Sequence, residues 1–369
     1  MDFEYIYPII VLFGSFAIML AVGVPITFAI GLSSLFSILI ALPPDAAISV
    51  ISQKMTVGLD GFTLLAIPFF VLAGNIMNTG GIARRLVNLA QALVGRLPGS
   101  LAHCNILANT LFGAISGSAV ASAAAVALMT VAALYAHRHH YPVAERINLR
   151  QFLSVFRDSL PSLLLIFIII GGIIGGVFTP TEASAIAVIY SLALAAIYRE
   201  INVSKLRDIL LDSVVTSSIV LLLVGCSMGM SWAMTNADVP ELINEMITSV
   251  SENKWVILLI INLILLFVGT FMDITPAILI FTPIFLPIAQ HLGIDPVHFG
   301  IIMVFNLTIG LCTPPVGTIL FVGCSIGKIS IDKVVKPLLP MFLALFVVMA
   351  MICYFPQLSL LLPTLFAPS

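Results

Sequence analysis

The chain has 369 residues, of which 60% are hydrophobic and only 9% are charged, and its formal net charge is −2. A soluble globular domain carries charge on about a quarter of its residues, so this composition excludes that class. The apolar runs are continuous and do not alternate with polar residues, which excludes a membrane β-barrel. No basic tract is long enough to bind nucleic acid. The composition therefore predicts a polytopic α-helical protein whose surroundings are a lipid bilayer.

The chain opens with MDFEYIYPII, which is acidic, whereas a cleaved signal peptide opens with positive charge. We therefore expect a first membrane helix here, and scaffold helices over residues 1–60. Later apolar runs cover 163–177, 183–197, 217–233, 255–268 and 341–354, and some are shorter than the ~20 residues of a full span. Five cysteines lie in apolar stretches without CxxC spacing and are interpreted as small buried hydrophobic residues: Cys104, Cys226, Cys312, Cys324 and Cys353.

Lysine and arginine concentrate in four segments between the apolar runs, namely residues 84–96, 138–157, 199–207 and 328–336. Because cytoplasmic loops are enriched in these residues, the four segments are predicted to be cytoplasmic. The intervening segments carry acids or little charge, and Asn236–Glu252 alone holds four acids. The expected protein is a multi-pass component of the bacterial inner membrane, with both termini periplasmic.

Some cytoplasmic segments have the pattern of surface helices. Residues 82–94 place their apolar side chains on one face, and 148–156 and 205–211 are shorter versions of the same pattern. This spacing is typical of a helix that lies on the membrane surface, although plain charged connectors remain an alternative. The face of the first helix is formed by Ile82, Leu86, Leu89 and Leu93.

Two stretches resemble each other at an offset of roughly 156 residues. Each has an apolar run, a turn, an amphipathic connector and a second apolar run broken by glycine; Asn78–Gly80 matches Thr235–Ala237, and Gly113–Ser118 matches Gly269–Ile274. The first connector is basic and the second is acidic, so the charge rule places the two repeats in opposite orientations across the membrane. Inverted repeats with broken helices are typical of secondary transporters, whose sites lie near the membrane midplane.

Three interruptions of apolar runs are candidate site segments, because unpaired backbone inside a bilayer must line a cavity or be buried in protein. The first is Ser116-Gly117-Ser118-Ala119, which predicts either a re-entrant hairpin or two short spans. Close packing of helices through small residues is an equal alternative for this segment.

The second interruption, residues 269–276, contains Asp273, an acid between two apolar runs. It is either a functional group at membrane depth or only the cap of a helix that has Pro276 in its first turn. The third is residues 306–317, where Pro314 and Pro315 forbid a regular helix. Carbonyls freed there can bind a cation, and a simple kink is the alternative. No Lys or Arg lies between Lys254 and Lys328 to meet an anion.

The chain resembles the large membrane subunit, DctM, of the TRAP (tripartite ATP-independent periplasmic) transporters. The matching stretches cover most of the chain: FTLLAIPFFVLAGNIMNTGGIARRL, SGSAVASAAA, GGVFTPTEASAIAVIY, GTFMDITPAILIFTPIFLPIA, GIDPVHFGIIMVFNLTIGLCTPPVG and YFPQLSLLLP. The resemblance implies sodium-driven uptake of an organic anion, such as a carboxylic or sugar acid, by an elevator-type movement. It also implies two partners, a small four-helix membrane subunit and a periplasmic substrate-binding protein, with sodium as the coupling ion and no other cofactor.

The resemblance also implies site residues at the hairpin tips and the adjoining broken helices. Those expected to contact substrate are Ser116, Ser118, Asp273 and Thr313. Those expected to hold sodium are Gly113, Gly117, Gly269, Thr308, Gly310 and Pro315.

The chain departs from the family in its first half. The family has a Pro-Pro segment in both halves, but here SGSAVASAAAV runs directly into ALMTVAALYAHRHH. We expect that roughly 50 residues are missing, which would remove one wall of the cavity. Three functions therefore stay open: a sodium-coupled TRAP permease, an inactive internally deleted TRAP subunit, and another sodium- or proton-coupled anion carrier. A gene for a periplasmic binding protein beside this one would separate the TRAP reading from the other carrier.

An enzyme is not expected, because an intramembrane protease needs paired catalytic groups and Asp273 has no second acid at similar depth. The predicted fold is an all-α transmembrane bundle with inverted repeats, re-entrant hairpins and a Pro-broken helix. After the N-terminal scaffold, an incomplete first repeat occupies 61–157 and further scaffold helices 158–211. The second repeat occupies 212–337, and a C-terminal transmembrane helix 338–369.

Overall fold

The computed structural model describes residues 3–95, 97, 100, 103–107, 148–250, 253–272, 274–313 and 331–366. Within these ranges the regular elements are helices, and a short 3-10 helix, Phe62–Leu65, leads directly into α4. In chain order they are α1 Phe3–Ala21, α2 Ile26–Ala41, α3 Pro44–Leu59, α4 Ala66–Thr79, α5 Ile82–Val94, α6 Leu149–Ile174, α7 Pro180–Ile197, α8 Val203–Asn236, α9 Val239–Val250, α10 Lys254–Phe271, α11 Ile274–His291, α12 Pro296–Cys312, α13 Ile331–Tyr354 and α14 Gln357–Phe366.

Six helices in the described part of the chain are long and apolar enough to cross a membrane: Phe62–Thr79, Leu149–Ile174, Pro180–Ile197, Val203–Asn236, Ile274–His291 and Val334–Tyr354. Shorter apolar helices, such as α12, accompany them. These helices confirm the prediction of an all-α polytopic membrane protein.

The chain divides into two compact units. The first consists of Met1–Gly61 and Ser218–Lys336, and the second of Phe62–Ser217 and Pro337–Ser369. The long helix α8 supplies residues to both units, so neither unit is a single continuous stretch of sequence.

In the second unit, α4 packs along α7, and α5 packs along α6. The hydroxyl of Tyr190 on α7 donates a hydrogen bond to the Pro161 carbonyl on α6 at 2.9 Å. Thr181 Oγ1, at the start of α7, donates to the Phe62 carbonyl at 3.1 Å. These side-chain bonds add direction to apolar packing that would otherwise be non-specific.

Helix α5 has the predicted bounds, but its apolar face lies against protein. Ile82 and Leu86 are fully buried, and Leu89 is 2% exposed, because this face packs on α6. Leu93, which we expected on the same face, is 52% exposed, and Val94 is buried instead. The two shorter predicted surface helices were wrong as separate elements. Residues 148–156 and 205–211 are the beginnings of the long helices α6 and α8.

The corner between α4 and α5 is held by Arg85. Its guanidinium lies 3.5 Å from the centre of the Tyr198 ring, and Nε lies 3.2 Å from Asp158 Oδ2. Nη1 donates to the Gly81 carbonyl at 3.0 Å, and the Arg85 carbonyl accepts from Ser159 Oγ at 2.9 Å. The side chain is 14% exposed, so these contacts are screened by solvent less than those of a surface ion pair. They fix α5 to α6 and to the end of α7.

The two predicted repeats share an unusual corner. Gly81 precedes α5 with φ +76°, and Asp238 precedes α9 with φ +50°. The residue before each closes the preceding helix, since Gly80 N donates to Ile76 O and Ala237 N donates to Ala233 O. The carbonyl oxygen of each positive-φ residue then accepts the first backbone hydrogen bond of the next helix, from Arg85 N in one repeat and from Leu242 N in the other. The same left-handed corner therefore stands at equivalent positions of the two repeats, as the sequence match of Gly80 with Ala237 requires.

This corner predicts the effect of two substitutions. A left-handed conformation costs an ordinary L-residue about 1–2 kcal/mol, costs Asp less, and costs Gly almost nothing. Asp238→Gly should therefore leave thermal stability unchanged or raise it by up to ~1 kcal/mol, whereas Asp238→Val should lower it. Thermal unfolding of the purified protein in detergent measures both.

The matched control is Asp60→Val, because Asp60 is exposed and has an ordinary φ of −77°. It should change stability little. Equal stability of the Gly and Val variants at position 238 would contradict the strain assigned to this corner.

Candidate functional site

Two helices of the first unit end inside apolar sequence. Helix α10 ends at Phe271 and is followed by Met272 in an extended conformation, φ −116° and ψ 149°. Helix α12 ends at Cys312 and is followed by Thr313, also extended, with φ −94° and ψ 133°. Extended backbone at Thr313 is expected because the next residue is proline. The helix breaks predicted in the second and third interruptions are confirmed at these positions.

Helix α11 begins two residues after Met272, at Ile274, and has Pro276 in its first turn as predicted. A proline is tolerated there because the first amide groups of a helix have no partner inside it. Asp273, between Met272 and Ile274, lies outside the described residues. Along the sequence, two residues separate the carboxyl end of α10 from the amino end of α11.

Helices α10 and α12 pack side by side through rows of apolar residues spaced four apart. Ile257, Ile261 and Leu265 form the row on α10, and all are at most 1% exposed. The row on α12 is equally buried and consists of Phe299, Met303 and Leu307. Residues four apart lie on one face of a helix, so both rows run in register along a common seam.

The seam ends where two glycines bring the backbones together. A Cβ atom on Gly310 would lie 2.7 Å from Gly269 Cα and 2.9 Å from the Leu266 carbonyl oxygen. A Cβ atom on Gly269 would lie 2.9 Å from the Leu307 carbonyl oxygen. All of these distances are shorter than any normal Cβ contact. Only glycine at both positions permits this crossing of α10 and α12.

The crossing brings two helix carboxyl ends together. Gly269 lies two residues before the end of α10, and Gly310 lies two residues before the end of α12. The last four carbonyl groups of a helix lack intrahelical partners and together carry about half a negative charge. Met272 N donates to Val268 O at 3.0 Å, which satisfies one of these carbonyls in α10. In α12 two are satisfied, because Thr313 N donates to Gly310 O at 2.9 Å and Thr313 Oγ1 donates to Ile309 O at 2.7 Å. The remaining carbonyls form an electronegative end that is suited to a cation.

The two described threonines of the predicted site each use their hydroxyl within α12. Thr308 is exposed on α12, and its hydroxyl donates to Val304 O at 2.7 Å. Thr313 Oγ1 donates to Ile309 O, also at 2.7 Å, in the last turn before the break. The structure thus brings Gly269, Gly310 and Thr313 to one end of the seam, while Thr308 faces away from it.

The other predicted site residues lie outside the described part of the chain. These are Gly113, Ser116, Gly117, Ser118, Asp273 and Pro315.

Sequence reasoning missed a polar pair in the same seam. Asn306 Nδ2 donates to both the carbonyl oxygen and Oδ1 of Asn262, each at 2.8 Å. Asn306 is 3% exposed, and both residues lie near the middle of their helices. The available signal was a lone carboxamide in the apolar run WVILLIINLILLFV, because polar side chains in membrane helices commonly hydrogen-bond across a helix interface.

Comparison with known proteins identifies a family. The family model described as "Tripartite ATP-independent periplasmic transporter, DctM component" matches residues 13–133 and 124–358. The protein YgiK of Salmonella typhimurium is 85% identical over 435 aligned positions, which cover 100% of both chains.

Two further relatives are named as transport permeases. The sialic acid TRAP transporter large permease protein SiaM of Vibrio cholerae is 32% identical over 421 positions, covering 96% of this chain and 98% of SiaM. The C4-dicarboxylate TRAP transporter large permease protein DctM of Pseudomonas aeruginosa is 35% identical over 401 positions, covering 91% of this chain and 93% of that protein. Each of these alignments is longer than the 369 residues of the present chain.

Proposed function

This chain belongs to the DctM family of tripartite ATP-independent periplasmic transporters, and we propose that it is the large membrane subunit of a sodium-coupled importer of an organic anion. The relatives described above are named as permeases and not as enzymes. The observation that carries the proposal is the crossing at Gly269 and Gly310, where two helix carboxyl ends meet. Carbonyl groups at such ends coordinate Na⁺ in secondary transporters with broken helices. The elevator-type movement implied by the inverted repeats is part of the same proposal.

The names of the relatives and the local charge support the proposed substrate class. The relatives' names give sialic acid, C4-dicarboxylate and, for YiaN of Escherichia coli, 2,3-diketo-L-gulonate as substrates, all of them organic acids. The sequence between Lys254 and Lys328 contains no Lys or Arg. An anion would therefore be bound by the amino end of α11, by hydroxyls such as those of Thr313, Ser116 and Ser118, and by the coupling cation.

The proposed complex contains two partners, a small membrane subunit and a periplasmic binding protein that delivers the anion. In the bacterial inner membrane both termini and Asn236–Glu252 are periplasmic, and residues 138–157 are cytoplasmic. This topology rests on the distribution of Lys and Arg.

Single cysteines introduced into a cysteine-free version test this topology in intact cells. An impermeant thiol reagent should label a cysteine at Ser249 and leave one at Arg150 unmodified until the cells are opened. Labelling at position 150 from outside would reverse the orientation, and the two sites act as controls for each other.

The chain as written is also proposed to be shortened in its first half. The alignment with YgiK has 435 positions and includes all 369 residues of this chain, so at 66 positions the chain contributes no residue. The two matches of one family model share residues 124–133, which supports a junction there. A first half without this segment would leave the substrate cavity open, so transport by the chain as written should be weak or absent.

Asp273 provides a test that leaves the crossing intact. It is the one acidic residue between α10 and α11, and besides the substrate contact expected above we propose its carboxylate as a ligand of the cation. Loss of a charged ligand weakens cation binding strongly. Asp273→Asn should raise the sodium concentration that gives half-maximal stabilisation of the purified protein by roughly tenfold or more. Thr308→Ala should have a smaller effect, because this hydroxyl is exposed and already bonded within its own helix. An unchanged sodium response in Asp273→Asn would remove this carboxylate from the site.

Transport itself is tested with the missing segment restored from a relative. Proteoliposomes containing that version, its small subunit and its binding protein should accumulate the anion only when sodium is present outside. Equal uptake with potassium in place of sodium would overturn the proposed coupling. Proton-driven uptake would favour another ion for the same carrier.

A further inference from the structure

The carboxamide pair in the α10–α12 seam lies one helical turn before the glycine crossing. Four residues separate Asn262 from Leu266 on α10, and four separate Asn306 from Gly310 on α12. Leu266 and Gly310 are themselves in contact, since a Cβ atom on Gly310 would lie 2.9 Å from the Leu266 carbonyl oxygen. The two helices run in the same direction, so pairing at 262 and 306 sets which residues meet at the crossing.

The orientation of the Asn306 side chain is fixed. Its amide nitrogen is held by the carbonyl oxygen of Asn262, which can only accept, so the two ends of the carboxamide cannot be exchanged. Asn306 Oδ1 is consequently buried, and among the described residues it has no hydrogen-bond partner. A buried acceptor without a donor is unfavourable, particularly inside an apolar span.

Stability alone does not account for such a pair, because two apolar side chains of the same size would leave no acceptor unpaired. The apolar rows specify the axial position only through the shapes of their side chains, since all of them are apolar and they repeat every four positions. A shift of α12 by one turn would keep apolar side chains in contact with apolar side chains. It would separate the two carboxamides and move Gly310 away from Gly269.

We infer that Asn306 is a positioning residue that fixes the register of α12 against α10 and thereby holds the two carboxyl ends in the geometry that binds the coupling cation. Buried polar residues fix register in this way in other helix pairs. The inference rests on the proposed sodium site, but the register itself is measurable without sodium.

The experiment compares the purified chain with the double variant Asn262→Leu/Asn306→Leu, which replaces both partners and leaves no carboxamide stranded. Hydrogen–deuterium exchange is followed in peptides that contain residues 266–272 and 307–313, with sodium and with potassium at equal ionic strength. The single variant Asn306→Leu accompanies it. Thr282→Val is the matched control, because Thr282 also reaches α12, with its hydroxyl 3.4 Å from Met303 Sδ, but away from the crossing.

In the double variant the melting temperature should stay the same or rise. The sodium concentration that gives half-maximal protection of the two peptides should nevertheless increase by about tenfold or more, as when outer partners of metal ligands are removed. Thr282→Val should retain the sodium response of the unmodified chain. A double variant that keeps the full sodium response would overturn the inference. So would a loss of response that only parallels a loss of thermal stability.

The outcome remains decisive if the unmodified chain shows no sodium response, which would count against the proposed coupling ion. Hydrogen–deuterium exchange without sodium then tests whether the register of α12 against α10 has changed. Faster exchange in both peptides of the double variant, with unchanged exchange in Thr282→Val, supports the positioning role. Equal exchange in the double variant and the unmodified chain contradicts it.

Discussion

Gly310→Ala should abolish the sodium response of this protein. The added methyl group would lie 2.7 Å from Gly269 Cα, 2.8 Å from Gly269 C and 2.9 Å from the Leu266 carbonyl oxygen. All three are backbone atoms, so no side chain can rotate away and α12 must move from α10. Overpacking of this kind typically costs about 1–3 kcal/mol, and here it also separates the two carboxyl ends. Gly269→Ala should act in the same way, because its methyl group would meet the Leu307 carbonyl oxygen at 2.9 Å.

The same helix provides the control. Gly300 lies on α12, and a Cβ atom there would meet nothing within 4 Å. Gly300→Ala should therefore keep the sodium response and raise stability slightly, since alanine is favoured over glycine inside a helix by ~0.5–1 kcal/mol. Melting temperatures of the three variants in sodium and in potassium give the comparison. If Gly310→Ala behaves like Gly300→Ala, the close approach of α10 and α12 is not needed for cation binding.

If the chain is shortened in its first half as proposed, restoring that segment should convert an inactive or weakly active subunit into a transporter. An alternating-access carrier needs both halves of its site, because each wall of the cavity comes from a different repeat. The second half retains its helix breaks at Met272 and Thr313. The segment to insert has about 66 residues, the number of alignment positions at which this chain contributes none. It is inserted between residues 124 and 133, where the two family matches overlap. Sodium-driven uptake in proteoliposomes should rise from background to the rate of a full-length relative.

A segment of equal length and hydropathy but shuffled order is the control, and it should leave uptake at background. Two results would contradict the account. Uptake by the chain as written at the rate of a full-length relative would show that the segment is dispensable. Failure of the restored chain, when its small subunit and binding protein are present and a relative transports, would place the defect elsewhere.

The sequence predicted the features that depend on local chemistry. The double proline after Thr313 forces the end of α12, and Pro276 marks the first turn of α11. The match between the repeats predicted a turn at the same place in each, whereas the left-handed backbone of Gly81 and Asp238 is a finding of the structure. The bounds of α5 were also predictable, because its apolar residues recur with helical spacing.

The features that depend on tertiary contacts were not predictable. Hydrophobic spacing identifies the apolar face of α5 but not whether lipid or α6 covers it, so the packing of that face on α6 was not predictable. Charged segments at 148–156 and 205–211 resemble surface helices, although each continues into a span, because one helix can pass from water into the bilayer. The pairing of Asn262 with Asn306 joins residues 44 positions apart, and only the register of α10 and α12 brings them together.

Binding of sodium by the purified chain tests the central claim most directly. The melting temperature is measured in detergent over a series of sodium concentrations, with potassium replacing sodium at constant ionic strength. A ligand that binds only the folded state stabilises it by about 2.7 kcal/mol at one hundred times its dissociation constant. We expect the melting temperature to rise with sodium and not with potassium. The rise should be lost in Gly310→Ala but not in Gly300→Ala. The same melting temperature in sodium and in potassium would contradict a sodium site at the meeting of α10 and α12.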